Sequence, residues 1–545
     1  MFEQIIDRLM NLVWNTPEEM PLMVVILLLF GVFITIRLSF IQLTKLGHGL
    51  KVVRGAYDDP DDEGDINHFQ ALTTALSATV GIGNIAGVAL AIHIGGPGAI
   101  FWMWVTAFFG MAIKFSEVTL AQKYRITNED GSVSGGPMYY IERGLGPNWK
   151  WLAVLFSISA AICAFLTGNA VQANSVADIM AADFDIPRAF TGLLTAGLVG
   201  AVILGGIKRI GYVTARLVPI MALLYVLGGL IILLLHADQI IPSFALILAN
   251  AFTPQAGALG VGSGVLILTL RYGVQRGIFS NEAGQGSAPI AHSAAKTDQP
   301  VREGVVALLE PFIDTIIVCS ITALVIISTG AWDMHHKINI SPDDPTIEYV
   351  IENLSTGNTV MGESLLFVDG VPVNGQMMRY SAPVDTMFVD PDEVLPFSGR
   401  VELTPEGPVA YADNGEIITT FTGGVVETAT PLTARAFEIG LAPITGGGGI
   451  IVTIAVLLFA VSTSISWSYY GDRAAQYLFG FKSIFWYRLV YVGMHFVGAV
   501  TALTTIWAFG DVMLGFMAFF NIIGLIALSG VVVKLTKEYF QNTEI

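Results

Sequence analysis

The sequence predicts an all-α polytopic membrane protein carrying a small β-rich insert outside the bilayer. Three observations lead there. Only 13% of the 545 residues are charged and 53% are hydrophobic, whereas soluble domains carry about 25% charged residues. Eleven apolar runs of about 20 residues, the length that crosses a hydrocarbon core of roughly 30 Å, lie near 21–42, 68–94, 98–122, 150–180, 190–207, 212–235, 258–292, 303–330, 448–470, 484–506 and 511–533. The acidity is concentrated in one place. Between Asp333 and Glu427 sixteen acidic residues face only Lys337, Arg379 and Arg400, so this stretch holds -13 of the net charge of -17.

The elements follow in order. Ahead of the first run, "FEQIIDRLMNLVW" sets Phe2, Ile5, Ile6, Leu9, Leu12 and Val13 on one helical face, which predicts an interfacial amphipathic helix within 1–19. The acidic "TPEEMP" before the first run, with no small-residue cleavage site, argues against a cleavable leader. The membrane part then occupies 20–330 and 438–545. Arg37, Lys45, Lys51 and Arg54 follow the first span, Lys123, Arg125 and Arg143 the third, and Lys208 and Arg209 the fifth. Lys296 and Arg302 follow the seventh, and Arg473 and Lys482 the ninth. These are alternate loops, so the positive-inside rule puts them all in the cytoplasm. The N-terminus and the insert are then outside, the C-terminus is cytoplasmic, and the protein is a multi-pass component of the plasma (inner) membrane.

The segment between the eighth and ninth spans, 331–437, is too long for an ordinary connection. It contains "LLFVDGVPVN" and "PVAYADNGEIITTF", where Asp-Gly and Asn-Gly between strand-like runs signal hairpins. Its Asp343–Asp344 pair and the "DPDE" at 390–393 read first as solvated acidic surface, with calcium binding as the alternative. Nothing in the sequence names a partner for the insert.

Composition also excludes classes. No basic patch supports a nucleic-acid partner. Cys163 and Cys319 sit inside apolar runs as core residues. No metal-ligand cluster or nucleophile–base pair points to an enzyme, and there is no catalytic residue to nominate; the histidines are scattered apart from His335–His336.

Chemistry is expected where the spans are spoiled. "TVGIGNIAG" (79–87) puts Gly81, Gly83 and Gly87 in the middle of the second run. Non-helical backbone is tolerated in a bilayer only where protein or a water-filled cavity satisfies it, and broken helices are how many carriers hold a small zwitterion and its cation. The N–H groups of Ile82 and Gly83 are candidates for a carboxylate. The carbonyls near Ser77, Ala78 and Val80, with the Asn84 side chain, are candidates for a cation. Close helix packing on small residues is the competing explanation. In the ninth span, Ser462 and Thr463 belong to a hydroxyl-rich run, "VSTSISWSYY"; they either bond the preceding turn or complete a sodium cage. The seventh run carries Arg271, Arg276 and Glu282 among glycines, as an internal ion pair or as a gate. Its interruption comes five spans after the first, as an inverted 5+5 repeat requires. Gln172 could face the same cavity, and Trp467 could wall it.

"GGPGAIFWMWVTAFFG" (95–110), "GGPMYYIERGLG" (135–146), "GIFSNEAGQGSAPIAH" (277–292) and "WSYYGDRAAQYLFG" (467–480) resemble the alanine or glycine:cation symporter family over nearly the whole membrane part. The resemblance implies one extra helix and then a 5+5 inverted-repeat core of the leucine-transporter type. It further implies co-transport of small neutral amino acids with Na⁺. "VGIGN" (80–84) is similar to the unwound motif of the sodium-coupled leucine transporter. By that likeness Thr79, Gly81, Ile82, Gly83, Asn84, Gln172 and Trp467 hold and size the amino acid, and Ser77, Ala78, Val80, Asn84, Phe459, Ser462 and Thr463 hold Na⁺. The long acidic insert departs from the family's short connection. The expected function is sodium-coupled import of alanine or glycine by alternating access. The rivals are a proton-coupled carrier or exchanger using Glu282 and an amino-acid-sensing receptor acting through the insert.

Overall fold

A computed structural model describes the chain except residues 1, 15, 18–20, 60, 253–264, 345–346, 352–363, 380–381, 391–394, 405–406, 502–503 and 543–545. It is mostly helical. The helices that matter below are α1 (Phe2–Trp14), α2 (Leu22–Arg37), α3 (His68–Thr79), α4 (Ala86–Gly95), α5 (Ala99–Tyr124), α6 (Pro147–Ala181), α7 (Arg188–Ile203) and α8 (Gly206–Leu235). They continue as α9 (Ala237–Phe252), α10 (Val265–Asn281), α11 (Ala288–His292), α12 (Pro300–Ser328), α13 (Ala429–Leu441), α14 (Gly449–Phe479), α15 (Ser483–Val500) and α16 (Thr504–Asn542).

Among the described residues, seven helices are long and apolar enough to cross a membrane, and an eighth span results if α3 and α4 are taken as one bent pair. Helices α2, α7 and α9 are apolar but shorter. The seventh expected run is split: α10 and α11 are separated by residues 282–287, and the start of that run lies outside the described residues. Helix α9 was not expected. Its Asp238, Gln239 and internal Pro242 dilute the hydropathy of a segment that nevertheless forms a helix. Large apolar side chains point outward on α7, α8 and α9, as at Leu193, Leu234 and Ile241, which are 68%, 74% and 79% exposed. Such a continuous apolar exterior is stable against lipid, not water.

Helix α1 does not present its whole apolar face to an interface. Ile6, Val13 and Trp14 are buried while Ile5 and Leu12 are exposed, and the Trp14 indole N–H donates to the Asp511 carbonyl at 2.9 Å. The helix is docked on α16. Val13 packs where Gly515 leaves room, since a Cβ there would come within 2.2 Å of it.

The acidic segment folds into short antiparallel strands between His335 and Val426. Asp369 and Gly370, both at positive φ, make the turn between Ser364–Val368 and Val371–Pro372, as an Asp-Gly hairpin requires. Gly399–Thr404 pairs on either side with Ser364–Val368 and Gly407–Ala412. The segment enters and leaves through one antiparallel pair, His335–Ile340 with Phe421–Val426. Its small core of Leu365, Phe367, Phe397, Val401 and Phe421 is separate from the main one. Of the two acidic clusters, Asp343–Asp344 is described and most of 390–393 lies outside the described residues.

Candidate functional site

Helix α3 starts on a capping box. The Asn67 side chain accepts from the Gln70 N–H at 2.8 Å, and the Asn67 N–H donates to Gln70 Oε1 at 3.1 Å. It ends at Thr79 because Gly81 is extended, with φ -140° and ψ -156°. A single 3₁₀ turn, Ile82–Asn84, follows before α4 begins, and the axis bends by 62°. The glycine cluster therefore does unwind the span.

Asn84 organises the break. Its Oδ1 accepts the Gly81 N–H at 2.8 Å. Its Nδ2 donates to Asp314 Oδ1 at 2.6 Å, with Ser280 Oγ and Cys319 Sγ beside it, each at 3.3 Å. Asp314, on a π-helical stretch of α12, also accepts from Ser280 at 2.6 Å and Thr315 at 2.8 Å. Asn84 is fully buried in this nest and does not line the cavity. Its amide nitrogen, not its oxygen, faces the carboxylate, and its oxygen is taken by Gly81. The side chain is thus a brace for the turn in this conformation, where the sequence reading had it touching amino acid or cation.

A cavity of about 210 Å³ opens against the break. Thr79, Gly81, Ile82 and Gly83 line it from the unwound segment, Gln172 from α6, Trp467 and Thr463 from α14. The Ile82 and Gly83 N–H groups have no intramolecular acceptor among the described residues. Gln172 donates to the Thr167 carbonyl at 3.1 Å, leaving its Oε1 buried without a partner. Thr79 Oγ1 is turned back to the Ala75 carbonyl at 3.3 Å. The Trp467 ring lies on a π-helical turn of α6, Leu166–Ala170. Gly168 permits that contact: a Cβ there would meet the indole at 2.5 Å.

On one side of the cavity α14 crosses the frayed end of α3. Thr463 Oγ1 lies 3.2 Å from the Ser77 carbonyl and 3.5 Å from that of Ala78. Ser462 Oγ lies 2.9 Å from the Phe459 carbonyl and 3.4 Å from that of Ser77, and Ser77 Oγ donates to the Ser462 carbonyl at 2.7 Å. Val80, the C-cap of α3, is buried beside them. The hydroxyls of Ser77, Ser462 and Thr463 and the carbonyls of Ser77, Ala78, Phe459 and Ser462 thus converge in a buried patch without a formal charge. Neutral oxygens of this kind suit a hard monovalent cation: the hydroxyls keep their protons and turn them away, so that their lone pairs and the freed carbonyls face the ion.

The three charges of the seventh run do not act together. Arg276 and Glu282 line the cavity; Arg271 does not, and lies near the Tyr272 ring, 5.9 Å from its centroid. Glu282, at φ +55° in the break after α10, accepts from Ser287 at 2.5 Å. It forms no ion pair with either arginine among the described residues.

A family model for the sodium:alanine symporter family matches residues 1–366 and 415–544. The chain belongs to this family. The part left unmatched, 367–414, falls within the strand-rich segment. A sodium/alanine symporter, AgcS, of Methanococcus maripaludis is 41% identical over 99% of this chain and 97% of its own length. A Bacillus subtilis chain, YrbD, provisionally named a sodium/proton-dependent alanine carrier protein, is 32% identical over 96% of this chain and 90% of its own. Among solved structures, that of MhsT in complex with L-phenylalanine aligns over 87% of this chain and 98% of its own, at 11% identity and a TM-score of 0.47. The sodium:alanine symporter family and these relatives are membrane transporters rather than enzymes, and the family implies an amino acid as substrate and sodium as coupling ion.

For this symporter the sequence reading missed several residues. Asp511 of α16 lines the cavity with Arg276, and Asp314 holds Asn84. Lys114, Glu117, His292, Glu303 and Glu310 are also buried in the helical core. Each is an ionisable group in or beside an apolar run, the signal that marks function or pairing in a membrane.

Proposed function

We propose that the protein imports small neutral amino acids, alanine or glycine, in symport with Na⁺ by alternating access through an eleven-span, 5+5 repeat core. The N-terminus and the strand-rich insert lie outside the cell and the C-terminus in the cytoplasm. The observation that supports this reading most is the juxtaposition at the first break. Unsatisfied N–H groups of Ile82 and Gly83 face a small cavity, and the Ser462–Thr463 hydroxyls meet the Ser77 and Ala78 carbonyls on its flank.

The substrate carboxylate is held by those N–H groups and its ammonium by the unpartnered Gln172 Oε1. The cavity, about 210 Å³, is below the roughly 300–1,000 Å³ of pockets for drug-sized ligands, and Trp467 caps the space left for a side chain. Sodium sits in the oxygen patch one turn away. The two ligands grip adjacent parts of one segment, sodium the last turn of α3 at Ser77 and Ala78 and the carboxylate the unwound Ile82 and Gly83, so each orders the site for the other. An inward sodium gradient and the membrane potential drive uptake; one charge through 100 mV is worth about 2.3 kcal/mol.

A second reading, coupling to protons through Glu282, is favoured by that carboxylate's place on the cavity wall and by the name of the B. subtilis relative. Radiolabelled alanine uptake into proteoliposomes separates the two. Accumulation that requires Na⁺ and survives collapse of the pH gradient is expected. Accumulation that follows pH and ignores replacement of Na⁺ by choline would overturn the sodium reading.

A further inference from the structure

A buried charge cluster at the opposite end of α3 from the cavity takes no part in the site above. Glu303 and Glu310, seven residues apart on α12, have no solvent exposure. Between them stands His292, the last residue of α11, with Nδ1 at 2.5 Å from Glu303 Oε1 and Nε2 at 2.6 Å from Glu310 Oε1. Neutral imidazole has one N–H and one lone pair, so two carboxylate contacts require one further proton, on the ring or on a carboxyl. His68 of α3 turns Nδ1 to the other oxygen of Glu303; its Nε2 has no hydrogen-bond partner, so a single N–H suffices there. Lys114 of α5 lies 3.0 Å from Glu310 Oε2. With the extra proton the two cations, Lys114 and His292, balance the two carboxylates. Without it the cluster holds a buried net negative charge and a lone pair aimed at an oxygen.

Glu303 therefore grips both half-helices, α3 with one oxygen and α11 with the other. The two halves are also stitched to each other, with the Lys296 N–H on the Ile66 carbonyl at 2.8 Å and the Ile66 N–H on the Ala294 carbonyl at 3.2 Å. Each is separated from its other half by unwound backbone, so the stitched pair can swing as a unit once α12 releases it and the α5 side chains Gln122 and Arg125, which hold the carbonyls of His292, Ser293 and Ala295, let go or move with it. We propose that Glu303 is a positioning residue that latches α3 and α11 to α12 between transport half-cycles, and that the latch holds only while one excess proton sits between His292 and the two carboxylates. This rests on the alternating-access reading above.

The groups facing the latch are few. Besides Lys114, α5 brings Glu117, which is occupied by the Asn521 amide at 2.5 Å and the Gly286 N–H at 3.1 Å, and Arg125, which binds the carbonyls of Ser293 and Ala295. Glu282 is held by Ser287, Asp58 stands 3.9 Å from His68 Nε2, Tyr470 of α14 is within electrostatic range of Glu310, and the nearby His48 is bonded to Tyr539. None of these adds a hydrogen bond to Glu303 beyond those from His292 and His68.

The test is thiol labelling of Ser293→Cys in the purified full chain, without substrate. Ser293 is fully buried one residue beyond α11, and the native cysteines are buried too. Rates are normalised to Lys482→Cys, an exposed position, to remove the intrinsic pH dependence of the reagent. Labelling of the Ser293→Cys protein should be slow near neutral pH and rise as the medium turns alkaline. Adding Glu303→Gln, which can bond a neutral His292, should raise neutral-pH labelling by about tenfold, the order expected when charge-assisted contacts become neutral ones, and flatten the pH response. Adding His68→Gln should raise labelling and keep the pH response. Labelling of the Glu303→Gln protein at the unmodified rate and with the unmodified pH response overturns the latch. If that variant does not yield monodisperse protein, a flat pH series without it overturns the proposal. Loss of alanine transport with this pattern intact would instead sink the proposed function and spare the latch.

Discussion

Thr463→Val is the sharpest probe of the oxygen patch, because it keeps the shape of the side chain and removes one oxygen. In the structure Thr463 Oγ1 makes only long contacts, 3.2 Å to the Ser77 carbonyl and 3.5 Å to the Ala78 carbonyl. Folding therefore loses at most about 1 kcal/mol, the net worth of one neutral hydrogen bond. A cation in that patch loses one of its few neutral ligands, comparable with a hydrogen bond to a charged group at about 1.5–3 kcal/mol. That converts to a rise of about 10- to 150-fold in half-saturating sodium. The assay is initial-rate alanine uptake into proteoliposomes over a sodium titration, with a thermal melt on the same preparation. Thr463→Ser should restore the sodium response, since it returns the hydroxyl. A half-saturating sodium concentration unchanged in the valine variant, with an unchanged melt, refutes the patch as the sodium site.

Three further outcomes follow from the same geometry. Gly168→Ala puts a Cβ 2.5 Å from the Trp467 ring, an overpacking of about 1–3 kcal/mol that pushes the indole toward the cavity; equilibrium binding should show alanine affinity falling more than glycine affinity, and equal losses would count against Trp467 as the size limit. Glu282→Gln keeps an acceptor for the 2.5 Å contact from Ser287; sodium-driven uptake should persist in it, and its loss together with any pH-driven component would favour proton coupling. Replacing 341–420 by an Asn-Gly turn should leave uptake standing, because Ile340 and Phe421 are antiparallel partners and can be closed by a two-residue hairpin; a well-folded variant without uptake would tie the insert to function.

Much of the site was legible because its signals are local. The break at Gly81–Gly83 follows from glycine clustering, and the hydroxyls of α14 stand out within an apolar run. What spacing along the chain does not reveal is which elements meet. Ser77 and Thr463 are 386 residues apart, and only the family resemblance joined them in the sequence reading. The buried ionisable groups were missed for another reason. Lys114, Glu117, Glu310 and Asp314 are each surrounded by enough apolar residues to vanish in a windowed hydropathy. The rule that such groups are paired or functional flags each one, but their partners come from other helices. Helix α9 was lost to the opposite effect, its few polar residues lowering the average of a short segment.

The two breaks differ in what they leave open. At the second, side chains take much of the backbone: the Gly286 N–H is held by Glu117 at 3.1 Å, the Gly284 carbonyl by Asn521 at 2.9 Å and the Ala283 N–H by the Asn281 side chain at 3.0 Å. At the first, Asn84 takes only the Gly81 N–H, and Ile82 and Gly83 are left facing the cavity. An orphan N–H is costly inside a membrane protein, and it persists where a ligand supplies the acceptor. On the proposed reading the first break is therefore the place for a carboxylate. The second, with Glu117, Asn521 and Asn281 already on its backbone and its charged neighbours gathered on α5, α11 and α12, is suited to movement between states rather than to holding the substrate.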